Sequence, residues 1–223
     1  TVSDSQGSIA TDEITITITS SGNFETGTVT GNDGTVYKTV KIGNQWWMAE
    51  NLKETKYRDG SEIRNVINGT EWAGLTTGAY CAFNNDETNA DAYGYLYNWD
   101  AVADSRNIAP AGWHVPIAEE WQNLVDYLGG SGIAGGKMKE TGTTHWHSPN
   151  TGATNESGFS ALPGGYRNYD GIYYYIGYYA AFWSFAESDR THGWYCLLYG
   201  NYSKASQVSS DKQSGFSLRC LRD

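Results

Sequence analysis

The clearest alternation of apolar and polar side chains runs from Val36 to Ile42, and a second apolar segment follows at residues 45–48. Gly43 and Asn44 stand between the two segments and suit a two-residue turn. The pattern therefore predicts a β-hairpin. We expect its two tryptophans, Trp46 and Trp47, to face the protein interior.

Two later segments have the apolar spacing of amphipathic helices. The first covers residues 94–103, where Tyr95, Trp99 and Val102 recur at helical intervals. The second begins at Pro116, and a pair of glycines ends it. Its apolar residues fall at i, i+3, i+4 and i+7 and are Trp121, Leu124, Val125 and Leu128. Residues 131–159 are rich in Gly, Thr, Ser and Asn, so we expect a long surface excursion there.

The C-terminal stretch, residues 182–220, combines strand-like core positions with chemically mixed residues between them. The core positions are Trp183, Trp194, Leu198, Gly215, Phe216 and Leu218. Tyr, Ser, Asn and Gly dominate the other positions, a mixture that antibody paratopes use for rigid contact area and adaptable hydrogen bonding. Strand parity predicts that Cys196 and Leu198 point inward, whereas Leu197 and Tyr199 point outward. We interpret this stretch as a binding face rather than a catalytic site.

The first 24 residues differ in pattern from the rest of the chain. Ile14, Ile16 and Ile18 alternate with threonines, which predicts a half-buried strand. One strand with a short partner cannot fold alone. The segment resembles the last hairpin of small immunoglobulin-like or PKD-like modules. We therefore divide the chain into residues 1–24, which this resemblance implies are the last strands of a preceding module or a linker arm, and residues 25–223, the main domain. The alternative is an extra edge strand on the main domain.

Composition narrows the choice of partners. The chain has 223 residues, a formal net charge of −10 and 18% charged residues. Nucleic acid is disfavoured as a partner because a phosphate backbone requires a basic surface, and anionic membranes are disfavoured for the same reason. The sequence contains no apolar run that could span a bilayer and no signal peptide. Because the chain starts within a strand pattern, we expect a mature or truncated secreted protein.

Three groups of residues could carry metal or acid-base chemistry. His145 and His147 could place two imidazoles on one strand face, although spacing suggests no third ligand. Residues 84–91 are rich in carboxylate and amide oxygens and could wrap a calcium ion, or they could form a solvated turn. No motif pairs His192 with a serine or cysteine nucleophile. We therefore interpret His192 as a contact residue. We interpret His114 as a histidine that lies in the core or supports a neighbouring site residue.

Four blocks of the sequence resemble the signature of the Fibrobacter succinogenes major paralogous domain family. They are KIGNQWWMAENL at 41–52, GWHVP at 112–116, GFSALPGGYR at 158–167 and GFSLRC at 215–220. The resemblance covers residues 27–223 and implies an α+β, C-type lectin-like fold with two helices, short twisted antiparallel strands and long loops. That fold is related to formylglycine-generating-enzyme-type domains and to the variable proteins of diversity-generating retroelements. A location outside the cell or on the bacterial surface is also implied.

The sequence departs from this family pattern inside the C-terminal stretch. Phe185 and Ala186 stand where such proteins usually continue with small hydroxyl residues, and Cys196 stands where Arg is common. A third departure is Ile117, which replaces a helix-capping Ser or Thr. Bulky and chemically mixed replacements in the C-terminal stretch fit a diversified binding surface.

The resemblance also suggests a disulfide bond. Cys81 and Cys220 both lie in the part of the chain that resembles the family, residues 27–223, and a secreted chain can retain a bond between them. Cys196 would then be free. The alternative pairs Cys196 with Cys220 and leaves Cys81 buried. Formylglycine-generating enzymes need a redox-active cysteine pair, for which this sequence offers no motif.

Two functions from different classes follow. The first is a non-catalytic, adhesin-like display domain that contacts a protein or glycan ligand on another cell or host surface. Its expected contact residues are Phe185, Arg190, His192, Leu197, Tyr199, Asn201, Tyr202 and Lys204. The second is a carbohydrate-binding module or an enzyme on the same scaffold, with sugar rings stacked on Tyr173, Tyr175 or Tyr199. We expect no cofactor apart from the calcium ion considered above.

Overall fold

The computed structural model describes residues 2–3, 9–10 and 24–223, which form short strands, short helices and long connecting loops. The strands are β1 (Val2–Ser3), β2 (Ile9–Ala10), β3 (Thr26–Thr30), β4 (Val36–Ile42), β5 (Gln45–Met48), β6 (Arg64–Asn65), β7 (Ala79–Cys81), β8 (Leu96–Tyr97), β9 (Trp113–His114), β10 (Tyr166–Arg167), β11 (Tyr173–Tyr174), β12 (Tyr179–Glu187), β13 (His192–Tyr199), β14 (Ala205–Asp211) and β15 (Leu221–Arg222). The helices are α1 (Gly69–Ala73), α2 (Glu87–Tyr93), α3 (Trp99–Val102), α4 (Ala118–Tyr127) and α5 (Ser131–Met138), with a 3-10 turn at Phe83–Asn85. The fold class is therefore α+β, as expected.

The predicted hairpin is confirmed as β4 and β5, which pair antiparallel with Val40 opposite Trp47. It belongs to a five-stranded sheet in the order β3-β4-β5-β15-β9. Trp47 is fully buried, whereas Trp46 is half-buried against a different apolar cluster. The two tryptophans separate in this way because adjacent residues on a strand face opposite sides of the sheet.

A second antiparallel sheet, β12-β13-β14, carries most of the C-terminal stretch. Its central strand is covered on both faces. One face contributes Leu197 to a cluster that we call the front cluster, and the other contributes Cys196 and Leu198 to a back cluster beneath α4 and α5. The front cluster contains Tyr37, Met48, Leu52, Tyr97, Trp113, Ala181, Trp183, Leu197, Phe216, Leu218, Cys220 and their neighbours. The back cluster contains Val40, Trp47, Trp121, Leu124, Val125, Met138, Trp146, Phe159, Phe182, Cys196, Leu198 and their neighbours.

Because β13 is buried on both faces, the expected parity is only half correct. Cys196 and Leu198 point inward, as predicted. The prediction that Leu197 is an outward contact residue is wrong, since its side chain is only 6% exposed within the front cluster. Trp194, expected to be a core residue, is half-buried.

Helix α4 confirms the second predicted helix and buries Trp121, Leu124 and Val125. Its first turn is completed without a capping hydroxyl at Ile117. The Glu120 carboxylate instead accepts a hydrogen bond of 2.9 Å from the Ile117 backbone N–H, which is one half of a capping box. A carboxylate at this position also favours the positive end of the helix dipole.

The expectation of two helices is wrong, because the described residues contain five. The segment 94–103 is mostly not helical: Leu96–Tyr97 forms a strand, and only Trp99–Val102 makes a helical turn. Tertiary pairing explains the difference, since Tyr97 and Phe216 exchange backbone hydrogen bonds of 2.9 and 3.0 Å. The expected surface excursion after Gly130 also begins with a regular element, helix α5.

Two fully buried arginines tie separate loops to the core. The Arg167 guanidinium donates to the carbonyls of Val66, Ile67 and Gly171 and lies over the Trp72 ring at 4.4 Å. The Arg219 guanidinium donates to the Asn51 side chain at 2.8 Å and to the Ser160 carbonyl at 2.9 Å. Burial lowers the pKa of Arg219 to about 9. Five N–H donors in a planar fork allow one arginine to satisfy several carbonyls at once.

The expected Cys81–Cys220 disulfide is absent from the structure, where all three cysteines are buried free thiols. Each thiol lies in a different apolar cluster: Cys220 in the front cluster, Cys196 in the back cluster, and Cys81 in a third cluster around Trp72. Burial raises the pKa of all three thiols. They therefore act as small apolar side chains here.

The N-terminal strands β1 and β2 pair with each other, with Val2 opposite Ala10. The predicted strand at Ile14, Ile16 and Ile18 lies outside the described residues. Packing of the main domain begins at Phe24, whose ring is partly buried against the back cluster. Among the described helices, none is long and apolar enough to cross a membrane.

Candidate functional site

Seven tyrosines on β10, β11, the β12-β13-β14 sheet and the turns that follow β11 and β13 form a continuous surface. We call this the tyrosine surface; its members are Tyr166, Tyr174, Tyr175, Tyr179, Tyr195, Tyr199 and Tyr202. Ring contacts link neighbours: Tyr175 stacks on Tyr179 at 4.4 Å, and Tyr179 meets Tyr199 at 5.3 Å. Contacts of 5.8 to 6.0 Å extend this chain to Tyr166, Tyr174 and Tyr202. Tyr195 joins it through Phe216, on which it stacks at 4.3 Å.

The tyrosine surface combines a buried floor with exposed rings. Leu197 and Ala181 are buried on the same face of the sheet, since they pair in register between the Tyr179–Tyr199 and Trp183–Tyr195 pairs. Tyr175 and Tyr202 are 49% and 58% exposed. Rings that are held by their neighbours while presenting an open edge offer contact area at little further cost in side-chain entropy.

Tyr175 adopts an unusual backbone conformation, with φ of +61°. Such a value is uncommon for a bulky residue and costs of order 1 kcal/mol or more. The surrounding chain imposes it: the Tyr175 carbonyl accepts hydrogen bonds of 3.0 Å from the N–H groups of Tyr178 and Tyr179. Gly165 lies against the same turn, where an added Cβ would stand 2.5 Å from the Tyr174 carbonyl oxygen. Strain held in place by its surroundings is typical of binding and catalytic sites.

The hydroxyls of Tyr166, Tyr179 and Tyr195 remain protonated at neutral pH. Burial, and then the neighbouring tyrosines, raise the pKa values of Tyr166, Tyr179 and Tyr195 above their ordinary value of 10.0. The surface is therefore uncharged and offers hydroxyls that can both donate and accept hydrogen bonds.

The β13–β14 turn, which carries Tyr202, is anchored from below by a buried lysine. The Lys139 ammonium donates three hydrogen bonds, to the carbonyls of Thr151 and Tyr199 at 2.9 Å and of Tyr202 at 3.0 Å. These bonds use all three of its N–H donors. Burial lowers the pKa of Lys139 to about 8. Helix α5 supports the same turn, since the Gly136 N–H donates to the Ser203 carbonyl at 2.9 Å.

The structure separates the predicted contact residues into two groups at opposite ends of β13. The first group lies at or near the β13–β14 turn and comprises Tyr175, Tyr199, Asn201, Tyr202 and Lys204. Phe185, Arg190 and His192 lie around the β12–β13 connection. Strand β13 has eight residues, so at about 3.3 Å per residue the two groups are roughly 20 Å apart. One small ligand cannot contact both groups.

The residues at the far end of β13 are mostly occupied by local contacts. Phe185 is exposed but its ring stacks on Trp99 with centroids 6.4 Å apart. His192 Nδ1 lies 2.9 Å from the Asp189 carboxylate, which raises the pKa of His192. Arg190 is exposed. Within the described part of the chain Arg190 makes no ion pair, whereas His192 and Asp189 beside it pair with each other.

Tyr173 does not belong to the tyrosine surface, and its role as a sugar-stacking residue stays a prediction. Its ring is half-buried between Phe83 at 5.2 Å and the Arg167 guanidinium at 4.9 Å. Its hydroxyl donates to Asn85 Oδ1 at 2.6 Å. Sequence reasoning also missed four members of the tyrosine surface, Tyr166, Tyr174, Tyr179 and Tyr195. The signal for Tyr174 and Tyr179 was the run of tyrosines at residues 173–179, which begins before the stretch that we took as the binding face.

The groups considered as metal ligands make local contacts. His145 Nδ1 pairs with Glu140 at 2.8 Å, and the His147 ring packs against Tyr178 with centroids 4.6 Å apart. Residues 84–91 contain the 3-10 turn and most of α2, where Asp86 Oδ1 accepts from the Thr88 N–H at 3.0 Å. His114, expected in the core, is partly exposed between Glu120 and Asp223. Within the described ranges, no three His, Cys, Asp or Glu side chains group as metal ligands.

The fold and this site define an α+β domain, built mainly of antiparallel sheets, with an uncharged tyrosine surface at one end of its C-terminal sheet. The chain belongs to the Fibrobacter succinogenes major domain family, whose profile matches residues 40–222. The four sequence blocks fall within this match or overlap it, so the family resemblance is confirmed. No curated protein matches the chain, and no solved structure does so either.

Proposed function

We propose that this chain is a ligand-binding display domain whose contact area is the tyrosine surface. On this proposal the fold is C-type lectin-like and the domain belongs to an adhesin-like bacterial protein outside the cell or on its surface. Its partner is a protein or glycan ligand on another cell or host surface. The formal net charge of −10 supports a partner other than nucleic acid.

The observation that carries this proposal is the continuity of the seven tyrosines. Exposed rings such as Tyr174 and Tyr202 continue into half-buried ones such as Tyr179 and Tyr199. Binding hot spots are enriched in tyrosine and lie where aromatic rings can be fully desolvated by a partner. A surface of this kind supplies apolar area and hydroxyl hydrogen bonds without the desolvation cost of buried charge.

Proton chemistry favours contact over catalysis at this surface. A general base works best when its pKa lies near the operating pH. The raised pKa values of Tyr166, Tyr179 and Tyr195 move these hydroxyls away from that range. We therefore assign the tyrosines a binding role. An enzyme on the same scaffold would need its acid-base groups elsewhere.

An array experiment with matched variants tests this proposal. The full 223-residue chain is screened on glycan and host-protein arrays beside Tyr174→Ala/Tyr202→Ala, which truncates two exposed rings of the tyrosine surface. Phe185→Ala/Arg190→Ala, at the opposite end of β13, is the control. We expect wild-type signals to be lost in the tyrosine variant and retained in the control. Signals that survive in the tyrosine variant and disappear in the control would contradict the proposal.

A further inference from the structure

A cavity of about 260 Å³ opens at the edge of the tyrosine surface. Its aromatic wall is made by Tyr175, Tyr178 and Tyr179, and the rest of the lining is His147, Ser148, Pro149, Gly200 and Asn201. This volume lies just below the range of about 300–1,000 Å³ that holds drug-sized ligands. The cavity therefore suits one ring of a ligand and not an extended small molecule.

The cavity contains hydrogen-bonding groups without a partner inside the protein. Within the part of the chain that the structure describes, the side chains of Ser148 and Asn201 make no hydrogen bond, and the His147 ring makes an aromatic contact alone. A hydroxyl, an amide and an imidazole together provide both donors and acceptors. These three groups can therefore form hydrogen bonds with solvent or with a ligand.

The geometry of the cavity is fixed by packing around His147. The His147 backbone N–H donates to the Gly177 carbonyl at 2.8 Å. A side chain at Gly177, whose φ is +81°, would overlap the His147 ring. The Gly200 N–H donates to the Tyr178 carbonyl at 2.8 Å, which joins a polar part of the lining to the aromatic wall. The polar and the aromatic residues thus line one cavity whose backbone is held by these bonds.

We propose that this cavity binds one neutral sugar ring of a glycan whose remaining residues lie on the tyrosine surface, an inference that rests on the proposed function. A pyranose has an apolar face of C–H groups and a rim of hydroxyls. The face stacks on an aromatic ring, and the rim requires several donors and acceptors at close range. The cavity supplies both features.

The lack of charged side chains in the cavity favours a neutral sugar ring over a charged sugar or a peptide side chain. None of the eight lining residues is an acid, a lysine or an arginine, so a charged sugar or a charged peptide side chain would lose its hydration without compensation. An apolar peptide side chain would leave Ser148 and Asn201 desolvated and unpaired, which is costly for each group. A neutral polyhydroxylated ring avoids both penalties.

Methyl glycosides of neutral hexoses and N-acetylhexosamines are suitable probes, and saturation-transfer NMR on the full chain detects weak ligands. The test variants are Asn201→Ala and Tyr178→Ala, and Tyr169→Ala is the control because its exposed ring lies outside the cavity. We expect at least one glycoside to bind in the millimolar range. Each test variant should weaken that binding about tenfold, whereas the control should leave it unchanged. Thermal melting of every variant shows whether a lost signal reflects lost folding.

Two results of the NMR experiment overturn the sugar-ring proposal: no neutral glycoside binds the wild-type chain, or binding to both folded test variants is as strong as to the wild-type chain. A protein ligand on the array that depends on Tyr202 but is insensitive to glycosides and to Asn201→Ala would also overturn it. In that last case the tyrosine surface retains its proposed function. Conversely, glycosides could bind the cavity while Tyr174→Ala/Tyr202→Ala leaves the array signals unchanged. The cavity would then keep its assignment as a sugar site, and the function proposed for the tyrosine surface would be contradicted.

Discussion

At the scale of single residues, Leu197 and Tyr202 lie close along the chain but have opposite roles. Leu197 is a buried member of the front cluster, and Tyr202 is the most exposed ring of the tyrosine surface. A leucine in this position makes dispersion contacts on all sides, whereas the Tyr202 ring touches one neighbour, Tyr199. Leu197 should therefore contribute mainly to folding stability, and Tyr202 mainly to ligand binding.

We predict that Leu197→Ala lowers the free energy of unfolding by about 2–5 kcal/mol, because a cavity remains in the front cluster. Tyr202→Ala should change it by no more than about 0.5 kcal/mol, as is usual for exposed positions. Urea unfolding of the two variants measures both values. Equal losses would mean that Tyr202 is a structural residue and not a contact residue.

The buried carboxyl of Glu54 should make stability depend on pH. Its side chain is fully buried, and its Oε1 has no hydrogen-bond partner. Burial, and then the charge of Asp33, raise the pKa of Glu54 to about 7. A carboxyl whose pKa is higher in the folded than in the unfolded state is more protonated when folded. The stability that Glu54 contributes to the folded state is fully present below pH 4.5, the ordinary pKa of the group, and is lost as the pH rises through about 7.

We predict that Glu54→Gln removes this part of the pH dependence. Between about pH 5 and pH 8, the free energy of unfolding of the variant should rise relative to wild type by on the order of 2–3 kcal/mol. The amide oxygen can still accept from the Asp33 N–H, as Glu54 Oε2 does at 3.0 Å. Denaturant curves at several pH values measure the difference. Parallel stability profiles would show that Glu54 is ionised in the folded protein.

At the scale of elements, helix α5 shows why glycine can be required inside a helix. An added Cβ at Gly135 would overlap the Lys204 carbonyl, and one at Gly136 would overlap the Gly152 carbonyl. Gly132 in the same helix faces open space. The close approach at Gly135 and Gly136 brings the β13–β14 turn onto α5 and so positions Tyr199 and Tyr202.

We predict opposite effects for two alanine substitutions in α5. Gly132→Ala should raise the free energy of unfolding by about 0.5–1 kcal/mol, since alanine is the better helix former. Gly135→Ala should lower it by about 1–3 kcal/mol, because the turn backbone must shift away. The same shift should weaken ligand binding at the tyrosine surface. If Gly135→Ala proves as stable as Gly132→Ala, the turn does not rest on the helix.

The elements that sequence patterns predicted correctly are those in which local and tertiary preferences agree. Residues 36–48 alternate around a Gly43-Asn44 turn, and the α4 stripe of Trp121, Leu124 and Val125 faces a single cluster. Helix α5 was missed because its glycines serve tertiary contact and weaken the local helical signal. Leu197 was misassigned because a strand that is covered on both faces lacks the alternation of apolar and polar residues that would show which side chains point outward.

Sequence patterns did not predict the strand in segment 94–103 or the extent of the tyrosine surface. The reason is related, because both depend on contacts between distant parts of the chain. Tyr95, Trp99 and Val102 have helical spacing, but backbone hydrogen bonds between Tyr97 and Phe216 hold the start of the segment in a strand. The tyrosine surface joins β10, β11 and the β13–β14 turn, so no single window of sequence contains it. Four of the predicted contact residues lie together in the structure because they belong to one window, residues 199–204, at the β13–β14 turn; they are Tyr199, Asn201, Tyr202 and Lys204.

At the scale of the whole molecule, residues 24–223 carry the packing that the structure describes. Strands β1 and β2 form a separate two-stranded sheet. Phe24 packs on the back cluster, and β3 pairs with β4 along Thr26–Thr30. The boundary between the two parts of the chain should therefore lie just before Phe24.

We predict that a chain beginning at Phe24 unfolds cooperatively, with a midpoint within a few degrees of the full chain. A chain beginning at Val36 lacks β3 and exposes the edge of β4, so it should lose several kcal/mol or fail to fold. Thermal melting followed by circular dichroism compares the three chains. Loss of cooperative melting in the first truncation would place the N-terminal residues inside the folding unit.

The account rests on the claim that ligands bind at the β13–β14 end of the C-terminal sheet and not at the β12–β13 end. Isothermal titration of one array-identified ligand against Tyr174→Ala/Tyr202→Ala and Phe185→Ala/Arg190→Ala tests this claim most directly. Because a central tyrosine can contribute about 2 kcal/mol to binding, the first variant should bind at least about thirtyfold more weakly, while the second keeps its affinity. The reverse order of affinities, with both variants folded, would place the binding site around Phe185 and contradict the account.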